Sequence, residues 1–179
     1  MLTVAPPDAV ELRANGTFEA LMWALARPGE SRDMPEAGLS AVVETLVDLE
    51  CAVFADEPGL RAAVMATGAL LVDDFSQADH VFLASIEGVE NRLAGLRCGS
   101  ALYPDDGATL VVVARHGVGQ RVRLSGPGVD GFIEITLGVS PGFWAVREML
   151  CAYPDGFDVF FVDGRSVIGI PRSTKVEVL

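Results

Sequence analysis

The chain changes texture near residue 100, and that change limits what it can fold into. Before it, short apolar runs are separated by stretches with helical spacing. Residues 38–50, GLSAVVETLVDLE, predict a helix with Ser40 placed as its cap, and they lead directly into the buried run CAVFA at 51–55. DEPGLRAAVMATG at 56–68 predicts a helix, ALLV at 69–72 and DHVFLAS at 79–85 predict strands, and GVENRLAGLRCG at 88–99 predicts a helix closed by glycine. After residue 100, ATLVVVA, QRVRLSG, GFIEITLG, FDVFFVDG and SVIGIPR follow one another as strand-like pieces between glycine turns. One helix interrupts them, SPGFWAVREMLCAYP at 140–154, with Ser140 as cap, Pro141 at its first position and Pro154 beyond its end. An opening helix at 15–27, NGTFEALMWALAR, sets Phe18, Leu21, Met22 and Leu25 on one stripe and stops at Pro28-Gly29. No repeat and no long linker divides the chain. The expected fold is α/β: a single domain over residues 1–179 with a mixed β-sheet flanked by helices.

Charge narrows the partners. The formal charge of -12 repels a phosphate backbone, which argues against general nucleic-acid binding. Residues 1–97 hold sixteen acids against six arginines, whereas residues 98–179 hold nine acids against seven basic residues, so an anion site belongs to the second half. No apolar stretch approaches the ~20 residues that cross a bilayer, and MLTVAPPDAV lacks a basic start followed by an apolar block, so a cytoplasmic protein is expected. Cys51, Cys98 and Cys151 are widely spaced with no CxxC pair, which indicates neither a disulfide framework nor a thiolate metal site. At 167–179, VIGIPRSTKVEVL alternates apolar and polar residues, the pattern of a segment docked on the body or on a neighbouring chain.

Five blocks in order carry a family likeness: ALARPG at 24–29, YPDDGATLVV at 103–112, LSGPGV at 124–129, YPDGFDVFFV at 153–162 and IPRSTKVEV at 170–178. With these blocks the chain resembles the PhnH family, a subunit of the bacterial carbon–phosphorus lyase system for phosphonate breakdown. The resemblance implies a fold similar to the pyridoxal-phosphate (PLP)-dependent transferases but without the cofactor. It also implies homodimers when isolated and a core assembly with PhnG-, PhnI- and PhnJ-like subunits. The implied task, shared with G, I and L components, is forming α-D-ribose 1-methylphosphonate 5-triphosphate from ATP and methylphosphonate. One departure stands at Glu19, where the resemblance leads one to expect a basic residue after Phe18.

The residues themselves define the candidate sites. A pyridoxal enzyme needs a lysine for its Schiff base, and the chain's one lysine, Lys175, falls in the terminal segment, so no cofactor is expected. In LSGPGV, Gly126 and Gly128 permit a nest of backbone N–H groups for a phosphate, with Arg121 and Arg123 just upstream; a plain turn explains the same residues. Arg172 suits a bidentate carboxylate or phosphate contact, or a local pair with Glu177 or Asp163, and Pro171 suits a strand end. His80 and His116 have no second ligand at metal spacing, and His116 is expected in a polar loop. Trp23, Phe143 and Trp144, with Pro171 and Arg172, are candidate interface anchors. No catalytic set assembles from these residues, so two functions compete. One is an accessory subunit; the other is an independent nucleotide- or phosphonate-binding enzyme using Arg121, Arg123 and Arg172.

Overall fold

The computed structural model describes residues 6–179; residues 1–5, the start of the MLTVAPPDAV stretch, lie outside them. The helices are α1 (Ala9–Ala26), α2 (Leu39–Leu46), α3 (Pro58–Thr67) and α4 (Pro141–Leu150). The strands are β1 (Arg32–Asp33), β2 (Ala52–Ala55), β3 (Leu70–Leu71), β4 (His80–Leu83), β5 (Thr109–Val113), β6 (His116–Ser125), β7 (Ile133–Leu137), β8 (Asp158–Asp163), β9 (Ser166–Ile170) and β10 (Lys175–Val178). Seven strands form one sheet in the order β1-β9-β8-β5-β4-β2-β3, and three form a second in the order β10-β6-β7.

The large sheet is mixed because β3, β2, β4, β5 and β8 run parallel, whereas β9 returns antiparallel to β8 and the edge strand β1 pairs antiparallel with β9. Parallel strands are covered on both faces and therefore read as continuous apolar runs. LVVV in β5 and VFFV in β8 behave in this way. Leu110, Val112, Val159 and Phe161 point into one core, and Val111, Phe160 and Val162 point into the other. The second core holds α1, α2 and α3, and the first holds α4 together with Val122, Leu124 and Leu137 from the inner face of the small sheet. Strands β6 and β7 of the small sheet, together with α4, are inserted between β5 and β8, which are neighbours in the large sheet, and β10 joins β6 from the end of the chain.

Three local expectations are corrected. First, α1 begins at Ala9 because Asp8 and Glu11 form a reciprocal capping box: Asp8 Oδ1 accepts from Glu11 N at 2.9 Å and Glu11 Oε2 accepts from Asp8 N at 2.9 Å. Its buried stripe is Thr17, Ala20, Leu21 and Ala24, while Phe18 and Met22 are about half exposed. Small side chains let the helix backbone lie directly on β9, where a Cβ added to Gly169 would stand 2.7 Å from the Ala24 carbonyl carbon. Bulky residues are thereby turned outward.

Second, Gly38 and not Ser40 occupies the cap position of α2, held by a 2.9 Å bond from its N–H to the Gly164 carbonyl in the β8–β9 turn. Third, residues 88–99 form two short 3-10 turns, at Val89–Asn91 and Leu93–Gly95, in place of one helix. Glycines at 88 and 95 leave too short a run to nucleate an α-helix, yet Val89, Leu93 and Leu96 are still buried.

Candidate functional site: the cleft beside the terminal strand

The terminal segment is an ordered part of the chain's own fold. Pro171 ends the β9 ladder, a turn closes with Thr174 N–H donating to the Pro171 carbonyl at 2.9 Å, and β10 then pairs antiparallel with β6. Two arginines hold this turn from below. Arg172 donates from Nη2 to Asp158 Oδ2 at 2.8 Å and from Nε to Asp158 Oδ1 at 3.3 Å, and its backbone N–H reaches Asp158 Oδ1 at 2.8 Å. A further bond joins its Nη1 to the Pro104 carbonyl. The local acid partner is therefore Asp158, not Glu177 or Asp163. Burial opposes the Arg172 charge, but the Asp158 carboxylate outweighs it and holds the guanidinium above its ordinary pKa.

Arg147 is the second. It lies on α4 at 3% exposure and donates to the Pro171 carbonyl at 2.8 Å and the Thr174 carbonyl at 3.2 Å. No carboxylate lies within ion-pair distance of it among the described residues, and burial pushes its pKa down. Its Nε, the Trp144 Nε1 and the Thr174 Oγ1 are buried without hydrogen-bond partners. Between α4 and the terminal segment a cleft of about 650 Å³ opens, lined by Arg123, Trp144, Arg147, Cys151, Arg172 and Lys175 among others.

The other predicted residues are placed as follows. Arg121 and Arg123 share the outer face of the small sheet, and both bind Glu134, Arg123 through Nη2 at 2.8 Å. Arg123 also reaches Glu177 at 3.2 Å and stacks over Phe132 at 4.8 Å, so it edges the cleft, whereas Arg121 lines a separate groove with His116 and Ser166. Arg123 first, then Arg121, hold Glu134 below the usual carboxylate range. Gly126 and Gly128, at φ 127° and 84°, form a turn wedged between the end of α1 and Ser173, with Val129 N–H donating to the Gly126 carbonyl at 3.1 Å.

Phe143 and Trp144 are corrected to core residues. Their edge-to-face packing at 5.1 Å, and the Phe143–Phe161 contact at 5.7 Å, follow from lying one helical turn from Arg147 on the buried face of α4. Trp23 stays on the surface at 41% exposure, with Arg32 at 5.9 Å over its ring.

His116 opens β6 and is half-buried, so it is not a loop residue. Its Nε2 lies 3.1 Å from the Phe161 carbonyl and must donate, which leaves Nδ1 to accept from the Ser166 hydroxyl at 3.2 Å. Burial lowers the pKa of both His116 and His80 below 6.5. As pH falls through 6.5 the unfolded chain takes up protons that the folded chain refuses, so stability complete above that pH declines below it. Each histidine contributes at most about 1.4 kcal/mol per pH unit, less for the half-open His116. Glu134 acts only further down, below 4.5. Melting temperatures at pH 7 and pH 5 check this: a fall is expected, shallower in His116→Gln, and equal values at both pH values contradict it.

A model of bacterial phosphonate metabolism proteins, PhnH, matches residues 8–177. The chain belongs to the PhnH family. It is 35% identical over 181 aligned residues to a putative C-P lyase subunit protein, HtxG, of Stutzerimonas stutzeri, covering 93% of this chain and 87% of that protein. It is 29% identical over 187 aligned residues to the alpha-D-ribose 1-methylphosphonate 5-triphosphate synthase subunit PhnH of Rhizobium meliloti (strain 1021), covering 92% and 90%.

In this PhnH-family chain, sequence reasoning missed Arg147, Asp158 and Thr174. A signal for the first was present: Arg147 follows Phe143 and Trp144 by four and three residues, inside the apolar stripe of α4. Among the described residues no helix is long and apolar enough to cross a membrane, and no group of three or more metal-ligating side chains converges.

Proposed function

We propose that the chain is an accessory subunit of a carbon–phosphorus lyase assembly. It would work with PhnG-, PhnI-, PhnJ- and PhnL-like partners in forming α-D-ribose 1-methylphosphonate 5-triphosphate from ATP and methylphosphonate in the cytoplasm. The observation that carries the proposal is the family match over residues 8–177, almost the whole chain. The names of two relatives, each covered over more than four fifths of its length, support it. So does the way the charged groups are engaged: Arg172 by Asp158, Arg147 by two carbonyls, Arg121 and Arg123 by Glu134. These bonds hold architecture. Exposed Phe18, Met22 and Trp23 on α1 offer apolar surface of the kind partners cover, in a homodimer or with the PhnI-like chain.

The same proposal includes one α/β domain over residues 1–179, related to the pyridoxal-phosphate-dependent transferases without their cofactor; the exposed position of Lys175 on β10 supports this. The competing function is an independent nucleotide- or phosphonate-binding enzyme. Arg123 and Arg172 facing one cleft favour it, while Arg121 on another groove does not. Omission of the chain from a reconstituted mixture of the partner subunits separates the two: product formation stops if the chain is an accessory subunit.

A further inference from the structure

We propose that β10 takes a strand from another protein: an extended segment of a partner subunit lies along its free edge and makes the small sheet four-stranded. This deepens the assembly reading and rests on it. β10 pairs with β6 on one side and stands at the end of the order β10-β6-β7. Hydrogen-bonded pairs alternate along an antiparallel ladder, and Leu179 N–H donates to the Arg121 carbonyl at 3.0 Å. The odd-numbered residues of β10 therefore bond to β6, and the backbone groups of Thr174, Val176 and Val178 point the other way. The Thr174 carbonyl agrees with this phase, because Arg147 of α4 donates to it at 3.2 Å. Further along the same edge, the N–H and C=O groups of Val176 and Val178 have no protein partner among the described residues.

A groove of about 480 Å³ runs between this edge and α4, lined by Pro141, Trp144, Ala145 and Glu148 from the helix and by Val176 and Val178 from the strand. The edge strands of the large sheet, β1 and β3, are blunted to two residues each, whereas β10 has four. Alternation sets the chemistry of the occupant. Val176 packs on the core and Val178 follows it on that face, whereas Lys175 and Glu177 lie on the outer face, where Arg123 reaches Glu177 at 3.2 Å. Lys175 has no carboxylate at ion-pair distance among the described residues. A matching segment alternates as well, with apolar side chains turned inward over Trp144 and Ala145 and an acid beside Lys175. A second copy fits less well. Four residues of edge alone fall short of the surface of about 1,200 Å² that a stable dimer buries, whereas a single segment in the groove touches β10 and α4 together.

The test uses the intact chain and the purified PhnG-, PhnI- and PhnJ-like subunits, with affinity measured by calorimetry and melting recorded for each variant. Val178→Pro removes an outward N–H that β6 does not use, from a residue 43% exposed, and Ala145→Trp fills the groove from the exposed side of α4. Each is expected to weaken binding to one subunit roughly tenfold or more, the size of a lost hydrogen bond, with melting close to that of the parent chain. Amide exchange over residues 175–178 slows in the complex. If both variants bind as the parent does, the edge proposal is overturned while the assembly reading stands; if the parent binds none of the subunits, both fall. Self-association of the isolated chain that Val178→Pro abolishes, with subunit binding unchanged, assigns the edge to a second copy and overturns the proposal too.

Discussion

Deleting residues 171–179 abolishes cooperative folding or lowers the melting temperature drastically; no smaller effect is consistent with the contacts this segment makes. The truncation strips β6 of its β10 partner, removes Arg172 from Asp158, and takes away the Thr174 and Pro171 carbonyls that accept from Arg147. Arg147, 3% exposed in the intact fold, loses both its acceptors and the segment that covers it, and Asp158 loses the guanidinium that pairs it. Breaking a buried charged contact by removing one side costs about 3–5 kcal/mol, and two such losses approach the whole stability of about 5–15 kcal/mol that a domain possesses. Circular dichroism melting of the truncated chain is the check. A transition within a few degrees of the intact protein contradicts the assignment.

Arg172→Met has the second largest expected effect, about 3 kcal/mol, which for a chain of this size is a fall of about 6–12 °C in melting temperature. Two opposed terms set the figure. Losing the guanidinium releases its own desolvation penalty, but it leaves Asp158, with a side chain 21% exposed, holding a single backbone N–H bond. The second term wins because an unpaired, largely buried carboxylate cannot recover its water. Adding Asp158→Asn to Arg172→Met removes that stranded charge and should restore part of the loss. If the double variant is less stable than Arg172→Met alone, or the single variant melts normally, Arg172 is not held in place by this pair.

Much of this architecture is legible in the chain itself. The buried runs of β5 and β8, the Ser140-Pro141 start of α4 and the strand-like character of VIGIPRSTKVEV are all local signals, and local signals survive folding when tertiary contacts agree with them. Where the reading failed, a non-local contact decided. The stripe of α1 turned out of register because Gly169, more than a hundred residues away, admits only small side chains opposite it. Gly38 became a cap because the Gly164 carbonyl meets it.

The cleft shows the same division. Arg172 and Lys175 were visible as features of the terminal segment, but their neighbour Arg147 sits on a helix whose pattern reads as purely structural. Only the fold brings its guanidinium under residues 171–174. Asp158 was hidden at the start of β8, between Phe157 and Val159, where only the fold brings Arg172 against it. Spacing along the chain carries no information about such meetings across fourteen or more residues.

The central claim is that this chain contributes to phosphorus chemistry as a member of an assembly and performs none alone. The decisive measurement is consumption of ATP and methylphosphonate by a reconstituted mixture of the PhnG-, PhnI- and PhnL-like subunits, with this chain present, absent, or alone. Turnover is expected only in the complete mixture. Turnover by the isolated chain, or undiminished turnover without it, contradicts the claim.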